Sequence, residues 1–457
     1  MHVYGAEPPA LLAALPCVES VQLSSGAVVS ASTLQLRFPH MTTLELLHAG
    51  VSEVEETLLA LGLCQLTSLR HLTVELNLFH VWLRPVMLHA PPELETLSLK
   101  ARLYSRDKFP AQLWQLEPCP TKLRKLIIDG GGAASTRTWL QLLQANAAQL
   151  QEFEVQVPSE GIIDSLPEPP VCLRLRTLRA HGVHRPVARF LAEMVAAAPL
   201  EHLDVKAASD GPAQMFAPRL SAFATLQSLS LACERTDDPV LAAVAQLPAG
   251  LRQLALWLLP ENMHAALTTV CQRCPGLRQL DLEDKYAAAK SDDGLPGCLA
   301  QLPLEQLTMP LMKGISEVGM LLFISTVVPP LVATTLRQLV MPFRLSAAAT
   351  AALGEALQGA TVRSSRPLAV RLPELSPEAE QVALGLSLPP CVTLNGVYRG
   401  EDAICDQPER RPRVCRKRKK ERKRERERER ERERRKKEEQ EEQEEEQEEE
   451  EEEEQEE

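Results

Sequence analysis

The amino-acid sequence predicts an α/β solenoid, in which short parallel strands alternate with helical or irregular return segments. Three observations support this fold class. An apolar triplet, Leu-x-x-Leu-x-Leu, recurs at steps of 25–32 residues along most of the chain. The segments between triplets carry apolar residues at helical spacing, and most of them end in Pro or Cys shortly before the next triplet. One such unit cannot bury its apolar face alone, so the units are expected to stack into one continuous core.

The triplets predict the strands, because their alternation is that of a half-buried strand whose second and third apolar residues point into the core. The triplets are Leu69/Leu72/Val74, Leu94/Leu97/Leu99, Leu123/Leu126/Ile128, Leu150/Phe153/Val155, Leu175/Leu178/Ala180, Leu200/Leu203/Val205, Leu226/Leu229/Leu231, Leu251/Leu254/Leu256, Leu277/Leu280/Leu282, Leu304/Leu307/Met309 and Leu336/Leu339/Met341. Degenerate copies are Val18/Val21/Leu23, Met41/Leu44/Leu46, Leu368/Val370/Leu372 and Val392/Leu394. We therefore predict a solenoid of about 12–14 units over residues 1–400.

The return segments are predicted to form helices on one side of the strand layer, because apolar residues at i, i+3, i+4 and i+7 make a single stripe. Such stripes are Val54/Leu58/Leu59/Leu61, Trp139/Leu140/Leu142/Leu143, Val187/Phe190/Leu191/Met194, Val240/Leu241/Val244/Leu247 and Leu267/Val270/Cys271. The most apolar return, Met320 to Ala333, is interrupted by Pro329-Pro330. It falls short of the roughly 20 apolar residues of a membrane-spanning helix, so we predict a buried return. An Ala-rich helix is predicted from Ala347 to Leu357.

The pattern resembles the leucine-rich repeat family. That resemblance implies one short strand per unit and a curved array, with the strands on the concave face and the helices on the convex face. The form Cys-Pro-Gly-Leu-Arg-Gln-Leu-Asp-Leu at residues 274–282 is similar to the cysteine-containing repeats of F-box adaptor proteins. The array also resembles ribonuclease-inhibitor-like repeats. The family's usual Asn or Cys, eight residues after the first Leu, is present only at Asn77, so the subtype stays open.

Composition points to an intracellular protein, in the nucleus or the cytoplasm. The 11 cysteines are scattered singly and in odd number, which favours reduced thiols over a disulfide framework. Cys271-x-x-Cys274 is the one metal-like spacing, and zinc would need a second ligand pair that the sequence does not offer. No Gly-rich phosphate loop and no spacing of a catalytic triad is present. We predict no enzyme, no metal site and no cofactor.

The candidate binding residues are those that alternate with the apolar positions of the strands. Eight of these residues are acidic and four are fixed cations, so we expect a protein partner with basic features rather than nucleic acid. Trp257 is the strongest anchor candidate, because a large aromatic side chain among small neighbours such as Ala232 and Ala255 makes a plausible hot spot. The candidates are Glu75, Lys100, Asp129, Glu154, Arg179, Asp204, Trp257, Asp281 and Glu283.

The chain ends in charged, low-complexity sequence. We predict a linker at 401–412, a basic mixed-charge Arg/Glu segment at 413–437 and an acidic Glu/Gln tail at 438–457. These segments lack the apolar residues of a core, so disorder or transient helix is expected. Arg416-Lys417-Arg418-Lys419-Lys420 fits a nuclear-import cluster. Because no aromatic residues are interleaved with it, nucleic-acid binding is not favoured. Two roles are open for the Glu tract: contact with histones or other basic proteins, or folding back onto residues 410–437 and masking them.

Three functional readings follow. The first is a monomeric, non-enzymatic interaction scaffold without membrane attachment, which binds a protein partner on its concave strand face. The second is the substrate-recognition subunit of a ubiquitin-ligase adaptor, although no F-box-like segment is visible. The third compares the array and acidic tail with small-GTPase regulators or with acidic nuclear proteins that bind histones.

Overall fold

In the computed structural model, the described residues belong to the repeat array. They are residues 2–3, 18–24, 40–47, 63–76, 91–101, 122–129, 140, 142–156, 166–207, 211–233, 238–284, 295–309, 315–341, 345–361, 367–372 and 375–395. The chain forms two compact units, Met1–Val397 and Tyr398–Glu457. The second unit lies outside the described residues, together with the predictions for the tail and for the return at Val54 to Leu61.

Within the described ranges, 16 strands form one parallel sheet in strict sequence order. The strands are β1 (His2–Val3), β2 (Ser20–Ser24), β3 (Thr43–Leu47), β4 (His71–Leu76), β5 (Thr96–Ala101), β6 (Lys125–Asp129), β7 (Glu152–Gln156), β8 (Thr177–His181), β9 (His202–Ala207), β10 (Ser228–Cys233), β11 (Gln253–Leu258), β12 (Gln279–Asp284), β13 (Gln306–Thr308), β14 (Gln338–Val340), β15 (Leu368–Arg371) and β16 (Val392–Asn395). A parallel sheet in this order requires one return connection between every two neighbours, which confirms the predicted α/β solenoid.

The apolar triplets set the register of the sheet. The middle residue of each triplet pairs with its counterpart in the next unit, as in Leu254↔Leu280 and Leu280↔Leu307. The residue after the first Leu adds a backbone link: the carbonyl oxygen of Arg252 accepts hydrogen bonds from the N–H groups of Arg278 and Gln279, at 2.8 and 2.9 Å. Sequence positions one repeat apart thereby become spatial neighbours, and their apolar side chains form one continuous core.

Helices fill the returns of the second half of the array. They are α1 (Arg185–Met194), α2 (Gly211–Phe216), α3 (Asp238–Val244), α4 (Pro260–Arg273), α5 (Glu317–Thr326), α6 (Val328–Thr334), α7 (Ala347–Thr361) and α8 (Pro377–Gly385). Neighbouring helices pack in order along the array, as α1 does against α2 and α7 against α8. Most described members of the predicted stripes are buried, as are Val187, Phe190 and Leu191 of α1, whereas Leu241 and Cys271 are partly buried. The predicted helix from Ala347 is α7.

The most apolar return consists of two helices, α5 and α6. By length and composition alone, Glu317–Thr334 is a segment of the described chain that could cross a membrane, and 44% of it is buried inside the protein. Phe323, Ile324, Val328 and Leu331 are completely buried. Both helices pack against α7. In this structure the segment is therefore a return of the solenoid, as its sequence predicts.

The last three helical returns share a start signal that the sequence analysis overlooked. Ser316, Ser346 and Ser376 stand 30 residues apart, and each hydroxyl oxygen accepts a hydrogen bond from the backbone N–H three residues later, at 3.1, 3.1 and 3.2 Å. This bond satisfies a helix N-terminal donor that has no partner within the helix. The C-terminal units are thus longer and better capped than those near the middle of the chain.

Two buried polar groups tie a return to the preceding unit. The Asn146 side chain is 1% exposed, and its Oδ1 accepts a hydrogen bond from the backbone N–H of Leu123 at 3.3 Å, while its Nδ2 donates to the Leu142 carbonyl at 2.9 Å. Further along, the thiol of Cys274 donates to the Pro248 carbonyl at 3.6 Å. The side-chain amide of Asn146 therefore stabilises one part of the array, and the weaker thiol donor of Cys274 stabilises another.

Candidate functional site

All nine candidate binding residues lie on one face of the sheet, opposite the buried ends of the triplets. The strands show the expected alternation. In β6 and β7 the first, third and fifth residues of the strand are at least partly exposed, and the second and fourth are buried. Two rows of side chains cross this face from strand to strand. One row runs through Glu154, Arg179, Asp204, Ser230, Ala255 and Asp281, and the other runs through Glu75, Lys100, Asp129, Gln156, His181 and Lys206. We call this surface the exposed sheet face.

On strands β6 to β9 the exposed sheet face is occupied by charges that pair with one another. The Lys125 ammonium lies 2.6 Å from a Glu152 carboxylate oxygen, and the Arg179 guanidinium lies 3.2 Å from that of Glu154. Nε2 of His181 lies 3.0 Å from Oδ2 of Asp204. We call these strands the charged section. Three of the nine candidates, Glu154, Arg179 and Asp204, therefore already have partners inside the protein.

On strands β10 to β12 the same face carries small side chains and one large aromatic. Ala255 pairs in register with Ser230 on one side and Asp281 on the other. Trp257 is half-buried and pairs with Glu283. We call this part the small-residue section. Its members on the exposed sheet face are Ser228, Ser230, Ala232, Gln253, Ala255, Trp257, Gln279, Asp281 and Glu283.

The two aspartates of the first row sit in different electrostatic environments. Burial works to raise the pKa of Asp204, but hydrogen bonds from His181 and Ser230 and the charges of His181 and Lys206 hold it below its usual value. Burial raises the pKa of Asp281, and the charge of Lys206 only partly opposes this effect. Oδ1 of Asp281 is buried and has no hydrogen-bond partner among the described residues.

Asp129, like Asp281, has a raised pKa. Burial is the main cause, and the nearby charges of Glu154 and Glu75 add to it, while Lys100 and His181 act in the opposite direction. These acids concentrate negative potential on the exposed sheet face. A face of this kind attracts cationic groups and repels phosphates.

A further row of charges lies at the edge where the strands begin, and the sequence analysis did not single it out. Ion pairs join Arg70 to Glu95 at 3.6 Å, Arg176 to Glu201 at 3.2 Å and Arg278 to Glu305 at 2.9 Å. The signal was available, because the residue directly after the first Leu of the triplets from Leu69 to Leu336 is always Arg, Glu or Gln. A groove of about 280 Å³ follows this edge, lined by His202, Gln227, Arg252, Gln253, Arg278, Gln279, Glu305 and Gln306.

The described cysteines are free thiols, of which Cys172 and Cys274 are buried and Cys271, Cys298 and Cys391 are partly exposed. Burial raises the pKa of Cys274 to about 11, and burial and the neighbouring Cys298 raise that of Cys271. A thiol with a raised pKa is a poor nucleophile and a poor metal ligand at neutral pH. In the described part of the chain, no group of three or more His, Cys, Asp or Glu side chains is arranged to hold a metal ion.

Comparison with known proteins adds little to this geometry. No family model matches the chain, and no curated protein matches it. One solved structure that it resembles is a leucine-rich repeat (LRR) protein of Leptospira interrogans, with 16% sequence identity and a TM-score of 0.33 over 85% of this chain and 92% of that chain. The fold assignment rests on the sheet order and the burial pattern described above.

Proposed function

We propose that this chain is a non-enzymatic interaction scaffold of the leucine-rich repeat type, which binds a protein partner on the exposed sheet face. The observation that carries the proposal is the split of the sheet into two faces. One face is sealed by the apolar triplets and the return helices. The other presents two continuous rows of polar, charged and aromatic side chains across many units, a broad and rigid surface of the kind that repeat proteins use for binding.

The acidic character of that face favours a partner with basic features. Electrostatic complementarity raises the association rate and discourages partners of like charge. The half-buried Trp257 supplies the apolar contact that charges alone do not give, since Trp is among the residues that dominate binding energy at interfaces.

A capture experiment tests the proposal. The tagged full-length chain and a Trp257→Ala/Glu154→Lys variant are used to capture proteins from the native cell, and the captured proteins are quantified by mass spectrometry. The matched control is Leu384→Ala/Glu261→Lys, which changes an exposed apolar residue and an exposed acid in the helix layer. We expect a principal partner to be lost from the first variant and retained by the control. A partner set that is equal in both, with native circular dichroism throughout, would contradict the proposal.

We further propose that the tail serves as an electrostatic and targeting element, with Arg416, Lys417, Arg418, Lys419 and Lys420 directing nuclear import. A compact basic run of this kind is the usual recognition element for import. Replacing residues 417–420 by Ala should move a fluorescently tagged chain from the nucleus to the cytoplasm. Replacing residues 427–430, an Arg/Glu stretch of the same length, is the control. An unchanged distribution of the first variant would reject this role.

A further inference from the structure

The small-residue section combines three features at one place: a floor without large side chains, an aromatic wall and an unsatisfied carboxylate. The floor is made by Ser230, Ala232 and Ala255. Trp257 on β11 and Asp281 on β12 lie beside this floor on adjacent strands. Neighbouring strands are about 4.8 Å apart and residues i and i+2 about 6.8 Å apart, so one side chain of a partner can reach Trp257 and Asp281 together across this floor.

The unsatisfied carboxylate of Asp281 indicates which kind of chemical group would bind here. Oδ1 of Asp281 is buried and accepts no hydrogen bond from any described residue. A buried acceptor without a donor costs about 1–3 kcal/mol, and more if the group is charged. Asp281 is also flanked along its own strand by Glu283, so the local charge is negative. A cationic hydrogen-bond donor would satisfy both conditions.

We propose that the space beside Trp257 and Asp281 binds the guanidinium group of an arginine in a basic segment of the partner protein. This inference rests on the proposed function and specifies the chemistry of its partner. The planar guanidinium stacks on the face of the Trp257 indole, where the ring quadrupole attracts a cation. Its edge donates N–H bonds to the Asp281 carboxylate, and Glu283 adds negative charge.

Arginine fits this site better than lysine. A guanidinium is planar and weakly hydrated, so it stacks on an aromatic ring and offers two parallel donors to one carboxylate. An ammonium is a compact, strongly hydrated charge that cannot do both at once. Ligands that carry phosphate are disfavoured, since Asp281 and Glu283 repel them.

Lys206 of the same chain competes with an incoming arginine for the carboxylate of Asp281. It pairs in register with Ala232, and its charge reaches Asp281. The Lys206 side chain is exposed, so its ammonium is easily displaced into water. An incoming arginine nevertheless meets a like charge. Removing that charge is therefore expected to tighten binding, an outcome that a site without cation specificity would not produce.

The test uses the full-length chain labelled with 5-fluorotryptophan, so that the environment of Trp257 is read directly by fluorine NMR. The Trp257 resonance is identified as the one lost in Trp257→Phe. The probes are the N-acetyl methylamides of arginine, lysine and citrulline, and citrulline is a neutral analogue of nearly the same shape as arginine. The resonances of the other three tryptophans report non-specific attraction, so a shift confined to Trp257 marks the site.

We expect the arginine probe to shift the Trp257 resonance saturably, the lysine probe to do so at several-fold higher concentration, and the citrulline probe to give no saturable shift. Asp281→Asn should weaken the arginine probe about tenfold, in line with the strength of hydrogen bonds to charged groups. Lys206→Met should strengthen it by roughly two- to fivefold, since it removes one partly screened like charge. Glu305→Gln, which removes one negative charge at the strand-start edge, is the matched control and should change affinity by less than about twofold.

Three results would overturn the inference: equal saturable shifts with arginine and citrulline, equal affinities in Asp281→Asn and Glu305→Gln, or the absence of any saturable shift. If such a failure occurs while capture still depends on the exposed sheet face, the scaffold proposal stands with a different partner chemistry. If the arginine site is found while capture is indifferent to Trp257, the scaffold proposal fails and the site remains.

Discussion

The charged section and the small-residue section of the exposed sheet face have the same backbone and register, yet they offer different things to a partner. In the charged section, ion pairs such as Lys125–Glu152 and Arg179–Glu154 already engage the charged side chains, although Oδ1 of Asp204 is buried without a hydrogen-bond partner among the described residues. A partner that binds there must replace existing contacts. In the small-residue section the buried Oδ1 of Asp281 has no hydrogen-bond partner among the described residues, and a ligand there competes with the exposed Lys206. Readiness to bind is therefore a property of local pairing and does not follow from net charge.

The first prediction tests whether the two sections differ only at the exposed sheet face or also in the cores beneath it. Leu178 lies beneath the charged section and Leu254 beneath the small-residue section, and both are almost completely buried. Leu178→Ala and Leu254→Ala should each lower the free energy of unfolding by about 2–5 kcal/mol, from the lost transfer free energy and the cavity left behind. Urea denaturation followed by circular dichroism measures both. Losses that differ by more than about 2 kcal/mol would mean that the difference between sections begins in the core.

A second prediction concerns the polar anchors near the two sections. Asn146→Ala leaves the buried N–H of Leu123 and the carbonyl of Leu142 without their side-chain partners, so it should cost about 1–3 kcal/mol. Cys274→Ala removes only a weak thiol donor to Pro248 and a little apolar volume, so it should cost about 1 kcal/mol. The same denaturation experiment applies. A larger loss in Cys274→Ala would reverse the assignment of the stronger anchor.

The third prediction uses Asp204 and Asp281, which occupy the same register position in the two sections. The folded pKa of Asp204 is lowered, so its stabilising contribution is present above the unfolded pKa and is lost as the pH falls through the folded pKa. The folded pKa of Asp281 is raised, so its ionised form destabilises the fold above that pKa, and the penalty disappears as the pH falls through it.

At pH 7, Asp204→Asn should therefore destabilise the protein and Asp281→Asn should stabilise it. Each effect should be under about 1 kcal/mol, because both side chains are partly exposed and solvent screens them. Both effects should shrink toward pH 3. Thermal unfolding between pH 3 and pH 7 measures the two variants against the parent chain. Stability changes of the same sign at pH 7 would contradict the prediction that the ionised form of Asp204 stabilises the fold while that of Asp281 destabilises it.

The secondary structure of the array could be predicted from the sequence, whereas the pairing of charges on its exposed sheet face could not. The strands and the helix from Ala347 follow from local alternation and helical spacing, because the pattern within a unit decides which of its side chains point toward the core. The pairing of charges could not be predicted in this way. Leu203-Asp204-Val205 and Leu280-Asp281-Leu282 read alike in the sequence, but Asp204 has His181 and Ser230 as neighbours, whereas Asp281 lies beside Ala255. That difference depends on side chains about one repeat away, which become adjacent only after the register is fixed.

The smallest predicted effect belongs to the ion pairs of the charged section themselves. Arg179→Gln breaks the pair with Glu154, whose partners are 50% and 33% exposed, so it should lower the free energy of unfolding by less than about 1 kcal/mol. Raising the salt concentration from 0.1 to 1 M should reduce even this loss, because it shortens the Debye length from about 10 to 3 Å. Partner capture by Arg179→Gln should stay close to that of the parent chain, since we propose that the energetic centre of the face lies at Trp257. A loss of capture comparable to that of Trp257→Ala would move the binding centre into the charged section, and would show that a partner can exploit side chains that are already paired.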